Sequence, residues 1–302
     1  MFSITLTVAA CGDDGGSTTP DAPKVENIGF NKPTMPLKAN MEISKNNWME
    51  IGPADLTCLG TANNDMATTV AVTLSTTVKD FQSGNAVPGT VVTVFKDQVT
   101  TDVIAGPATA DGNAMLTLTI PAGTKRFGFK MTNSNSLDTL LLNQTLNPTN
   151  PTQMISQIQS VSTATAQTLP ALIGVSRTPG TGILAGAVRD CTGKELSNYV
   201  ATVSSVEATA TSTVDVVKHL PGVDAYYFSA SVGLPVRHSQ QDFASKNGLF
   251  MAIEMAATPT AYVQVWGYKT QADVDADKLS LIAQLKTAVI ADVVITGSYD
   301  PI

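Results

Sequence analysis

The sequence predicts a mainly β chain: two tandem antiparallel β-sandwich domains, a short linking helix between them, and a disordered tether at the N-terminus. Three observations lead there. Short runs such as TVAVTL (69–74) and AMLTLTI (114–120) alternate apolar with polar or small residues, the period-two mark of half-buried strands. Asp-Gly, Asn-Gly and Pro-containing turns recur between those runs. The pattern is also written twice, once over Ala71–Met131 and again, at greater length, over Ile183–Tyr268.

Composition agrees. Only 14% of the 302 residues are charged, and the abundance of Thr, Ser, Val, Ala and Gly suits short strands joined by turns better than solvent-facing helices. The net charge is −7 with no Lys/Arg-rich run, which excludes the basic stripe that a nucleic-acid partner requires. No apolar run approaches the roughly 18 residues of a membrane-spanning helix. The length suits two domains.

Residues 1–11 read MFSITLTVAAC, with Val8, Ala9 and Ala10 directly before Cys11. Small residues ahead of a cysteine resemble the lipobox of bacterial lipoproteins, in which the cysteine becomes the acylated N-terminus. The resemblance implies a lipid anchor on Cys11, and Gly12, in place of a retention aspartate, implies the outer membrane as destination. The segment lacks the basic residues that open a signal peptide; a frayed apolar terminus is the competing reading. The stretch that follows, GDDGGSTTPDAP, is polar and aperiodic, so it buries too little to fold. Residues 12–60 are therefore expected to be a flexible tether and irregular linker, broken by Pro33, Pro36 and Pro53. Trp48 and Met49 are expected to pack locally against the first domain.

The first domain is placed at 61–150. Strands are expected at Thr69–Leu74, with Val70, Val72 and Leu74 on one face, and at Thr90–Phe95. Asp111-Gly112-Asn113 reads as a hairpin turn using a positive φ at Gly112. Beyond it Leu116, Leu118 and Ile120 face inward, then Phe127, Phe129 and Met131. In the second copy Val188-Arg189-Asp190 matches Val78-Lys79-Asp80, Gly193 matches Gly84, Leu196–Val203 matches Val87–Val94, and Asn247-Gly248 matches Asp111-Gly112. Such a repeat implies two similar domains side by side. These residues resemble the carboxypeptidase regulatory-like domains, which implies immunoglobulin- or transthyretin-like sandwiches that are usually non-catalytic. Asn247 and Ala257-Thr258-Pro259 depart from that family's Asp and Pro-Gly turn.

The second unit is placed at 151–302. It opens on Thr152–Leu169, where Met154, Ile155, Ile158 and Val161 fall at helical intervals. Thr152 is the expected N-cap and Pro170 the expected stop. After Tyr268, Thr270 and Asp273 are expected to cap one helical turn, and LSLIAQL and AVIADVVITG to form two closing strands.

The copies differ in one place. Gly84 to Asp111 spans 27 positions and Gly193 to Asn247 spans 54, so the second copy carries an insertion at about 206–243; repeat insertions map to loops, often on a binding face. It holds both histidines of the chain. His219, Tyr227, Arg237, His238 and Asp242 are the candidate binding surface. Two imidazoles and a carboxylate can hold zinc or iron, which makes His219 and His238, with Asp242 or Asp224, the metal alternative. The histidines lie 19 positions apart without a ligand-type spacing, and the competing reading leaves them as ordinary loop residues.

No nucleophile elbow or phosphate loop is present. With Cys11 lipidated in an exported chain, Cys58 and Cys191 remain as a disulfide pair, against the alternative of two buried thiols. The expected function is a non-enzymatic envelope lipoprotein without a cofactor. It would be anchored at the outer membrane and bind an envelope protein or glycan, or simply act as a scaffold. The alternative is a metal-dependent enzyme.

Overall fold

The structure, a computed structural model, describes residues 32–61, 65–212, 220, 225–299 and 301. Cys11 and residues 12–31 of the expected tether lie outside the described residues, as do His219 and Asp224.

In chain order the elements begin with β1 (Lys38–Ser44) and β2 (Asn47–Pro53). Then come β3 (Val72–Asp80), β4 (Val91–Lys96), β5 (Val103–Thr109), β6 (Met115–Ile120), β7 (Arg126–Thr132), β8 (Ser136–Thr145), β9 (Thr152–Ser162) and α1 (Thr163–Leu172). The second half holds β10 (Gly182–Val188), β11 (Glu195–Ser197), β12 (Tyr199–Ser204), β13 (Ala225–Tyr227), β14 (Leu249–Met255), β15 (Thr258–Gly267), α2 (Gln271–Asp275), β16 (Ser280–Val289) and β17 (Val293–Tyr299). The chain is mainly β, as its alternating runs predict. Among the described residues no helix is long and apolar enough to cross a membrane.

Each half is a sandwich with the same strand grammar. In the first, β6-β3-β9 packs on β5-β4-β7-β8. Between them lie Leu74, Val78, Leu116 and Ile158 from one sheet and Val94 and Phe129 from the other, all buried. In the second, β14-β10-β17 packs on β12-β15-β16 around Leu184, Phe250, Tyr299, Tyr199, Val263 and Ile282. Most pairings are antiparallel, but each half closes with a parallel one: β9 runs beside β3, and β17 beside β10. Asp80 ends β3 and Asp190 lies just beyond β10; each opens a turn closed by a glycine N–H on its own carbonyl, Gly84 on Asp80 and, one residue tighter, Gly193 on Asp190, with φ of 70° and 78°, a region glycine enters at little cost.

The halves are not merely neighbours. β17 pairs on its other side with β8, Val293 opposite Asp138 through Gly297 opposite Leu142. One sheet therefore runs without a break through β13-β14-β10-β17-β8-β7-β4-β5. Its two faces serve different cores. Leu140, Leu142 and Phe95 join the core of the second half, while Val92, Val94 and Leu141 belong to that of the first. α1 covers the remaining part of this second face, over Ile183, Met251, Ile253 and Val294.

Four expectations are corrected. Thr152–Ser162 is a strand, and the helix begins only at Thr163, capped by the Ser162 side chain, with Pro170 inside it. The helical spacing has a β explanation. A register shift sets Thr76 opposite Ile155 but Val78 opposite Ile158. This bulge reverses the alternation, so residues three apart both turn to the core. The N-terminal linker is likewise not irregular: β1 and β2 form a hairpin that extends over β11 of the second half rather than the first, with Trp48 half-buried and Met49 exposed. Val70 precedes its strand and is exposed. Asp111 does turn the chain, its carboxylate accepting from the N–H groups of Asn113 and Met115. However, β5 pairs with β4 and β6 with β3, so the turn joins two sheets instead of closing a hairpin, and Ala114, not Gly112, carries the positive φ of 60°. The Thr270–Asp273 cap is present as a reciprocal capping box on α2.

Candidate functional site

The insertion places its aromatic residues inward. β13 adds to the edge of β14, with Tyr226 opposite Met251 and Tyr227 opposite Phe250. Tyr227 is fully buried, and its hydroxyl accepts from the Ala201 N–H at 2.9 Å. Its ring lies edge-on to Tyr199. Tyr227 is thus a core residue and drops out of the binding surface: alternation turns it into the sandwich while Tyr226 and Phe228 turn towards α1. Burial raises the hydroxyl of Tyr199 well above the ordinary tyrosine range, with Tyr227 and Tyr299 adding to it, and burial likewise raises Tyr299.

His238 and Asp242 do come together, Nδ1 to Oδ1 at 3.3 Å. The imidazole is only 12% exposed and stacks on Tyr226 with ring centres 4.7 Å apart. Arg237 is exposed and lays its guanidinium over Gly174, just beyond α1, where a cation complements the C-terminal end of the helix dipole. Among the described residues no three His, Cys, Asp or Glu side chains are grouped to hold a metal, and His219 falls outside them. Cys58 and Cys191 form a disulfide, which ties the segment after β2 to the first turn of the second half.

A more enclosed concavity lies elsewhere, where the halves meet. β8 pairs first with β9, at Ser136 and Leu137, and then with β17 from Asp138 onward. β9 departs toward β3 while β17 stays in the shared sheet, and the fork between them is a groove of about 260 Å³. Ala185, Ala187 and Thr296 make its floor, where small side chains leave room above the sheet. Phe81, Phe228, Leu169, Leu249 and Met251 form apolar walls. Phe81 of the first half meets Phe228 of the insertion edge-on at 5.9 Å. Gln144, Gln157, Gln159, Arg189 and Ser298 supply the polar groups.

Local chemistry holds the fork in shape. Asp80, buried at the end of β3, accepts from the Ser83 N–H at 2.9 Å and the Ser162 N–H at 3.0 Å. It also accepts from the Thr165 hydroxyl at 3.1 Å, so it fixes where β9 ends and α1 begins. Burial pushes its pKa upward, but the hydrogen bonds from Ser83 and Ser162 outweigh this and leave it below the usual carboxylate value. At the polar end, Arg189 donates through Nε to Glu195 at 3.3 Å and through Nη1 to Ser298 at 3.1 Å. Sequence reasoning took residues 183–188 only as the opening of the second copy. The signal it passed over is the run of small residues on a face that the rest of the pattern requires to be covered.

No protein-family model matches the chain, and no curated protein matches it. Among solved structures it is similar to the shaft pilin SpaA from Lactobacillus rhamnosus GG, at 12% identity over 78% of this chain and 98% of that one, with a TM-score of 0.23. It is similar to the TIE protein of Bacillus anthracis at 11% identity, covering 77% of this chain and 34% of that one, with a TM-score of 0.25. BcpA, the major pilin subunit of Bacillus cereus, is similar at 9% identity over 76% and 69% of the two chains, with a TM-score of 0.20. At these identities and TM-scores the likenesses carry no argument about what this chain does.

Proposed function

We propose that this protein is a non-enzymatic module of the bacterial envelope, anchored at the outer membrane through a lipid on Cys11, that displays its two sandwiches as one rigid body to an envelope protein or glycan. The observation that carries the reading is the unbroken sheet through β17 and β8. Two domains joined by a loop move independently; two halves sharing a sheet and a central strand transmit position and load as one. The disulfide extends that rigidity to the segment leading back toward the anchor.

The test has two arms. Calorimetry of the purified chain is expected to give one cooperative transition, and two separated transitions would show that the halves act independently. In cells, Cys11→Ser is expected to release the protein from the membrane fraction and abolish incorporation of labelled palmitate. Equal membrane retention of the variant would remove the anchor.

A further inference from the structure

We propose that the groove between β9 and β17 is a binding site for a single alkyl chain bearing an anionic headgroup, such as a fatty acid. The site does not depend on the display function.

The argument starts from what the floor offers. Ala185 and Ala187 lie in β10, which is paired with β14 on one side and β17 on the other, and Thr296 lies in β17 between β10 and β8. Their backbone groups are engaged in the sheet. A peptide laid on this face would leave its own N–H and C=O groups without partners, a costly arrangement. An alkyl chain has none to satisfy and gains from every methylene removed from water. The walls suit it, since Phe81, Phe228, Leu169 and Met251 present only carbon or sulfur.

The ends of the groove differ, and this sets orientation. Leu169, Ile183 and Val294 close the end beneath α1. Arg189, Ser298 and Gln144 stand at the opposite end, where β10 and β17 finish. A guanidinium carries five donors in a fork that fits a carboxylate; Glu195 and Ser298 engage two of them. Because Glu195 already balances the Arg189 charge at 3.3 Å, what the mouth of the apolar groove offers is the guanidinium's remaining N–H donors, which complement a carboxylate and give a cationic head nothing to bond.

Titration of the full chain with dodecanoate, below its micelle concentration, is expected to show saturable binding in the micromolar range. Ala187→Phe, which fills the floor, is expected to abolish it. Arg189→Gln is expected to weaken dodecanoate by about tenfold or more while changing dodecanol by no more than about twofold. Dodecyltrimethylammonium binding as tightly as dodecanoate would overturn the assignment, as would undiminished binding to a folded Ala187→Phe protein. Should that variant fail to fold, a photoreactive dodecanoate on the unaltered protein decides. Labelling of 183–189 and 294–298 supports the site, and labelling confined to the exposed Ile43, Met49 and Ile51 of the N-terminal hairpin overturns it.

Discussion

Asp80 and Asp190 occupy the same position in the two copies and do half of the same thing. Each closes the turn after the first strand of its sandwich: Asp80 by accepting from Ser83, Asp190 by accepting from the N–H groups of Thr192 and Lys194 at 2.9 Å. The other half differs. Asp80 reaches forward to Ser162 and Thr165 and starts α1, whereas Asp190 reaches back to the N–H of Asp55. The next residue repeats the contrast. Phe81 crosses to Phe228 in the other half, and Cys191 crosses to Cys58 ahead of the first half. A duplicated turn has kept its aspartate and its glycine and acquired two different cargoes, one non-covalent and one covalent.

The covalent side is expected to give the largest effect. Replacing Cys58 and Cys191 together by Ser opens a loop whose ends are 133 residues apart, and the chain-entropy account puts the loss near about 4–5 kcal/mol. Chemical denaturation with and without reductant measures it; an unchanged midpoint would mean that Asp190 alone secures the N-terminal segment. Next in size is Asp80→Ala, which strands the N–H groups of Ser83 and Ser162 and is expected to cost about 2–3 kcal/mol. Hydrogen exchange localises the damage. Asp80→Ala should deprotect α1, and Asp190→Ala the segment around Asp55.

Acid sharpens the same contrast. Because the folded-state pKa of Asp80 lies below its ordinary value, the stability it contributes is fully present above about pH 4 and is lost as pH falls through the folded value. A pH series of unfolding midpoints should therefore decline more steeply for the natural protein than for Asp80→Asn. Parallel curves would show that the carboxylate charge is not what holds α1. The smallest effect belongs to Phe81→Ala, a half-buried ring in a single cross-half pair, expected to cost about 1–2 kcal/mol. A double-mutant cycle with Phe228→Ala isolates the pair.

Much of the fold was legible because alternation is a local signal. Leu116, Leu118 and Ile120 face the core as read, and so do Phe127, Phe129 and Met131. The disulfide was legible from the number of cysteines and the expected compartment. β9 was not, because a bulge imitates helical spacing, and the missed strand concealed that the repeat continues through β8 and β9 as it does through β16 and β17. The N-terminal hairpin was hidden by prolines that fall outside β1 or at the end of β2. The shared sheet and the groove depend on pairing Val293–Gly297 with residues some 155 positions earlier, and no local pattern encodes that. Among the residues singled out in the insertion, Tyr227 was misplaced because an isolated tyrosine reads the same whether its ring faces water or a core.

Among the described strands, β17, which joins the halves, comes after all the strands it pairs with. A chain synthesised from its N-terminus exposes the free edge of β8 and then that of β10 long before Val293–Tyr299 exists to lie between them. Until that moment the nascent protein carries two open β edges, each able to recruit another chain. An exported version would benefit from remaining unfolded through translocation and closing only when β17 arrives. A break in translation shortly before residue 293 would therefore release a product prone to aggregate, not a working half.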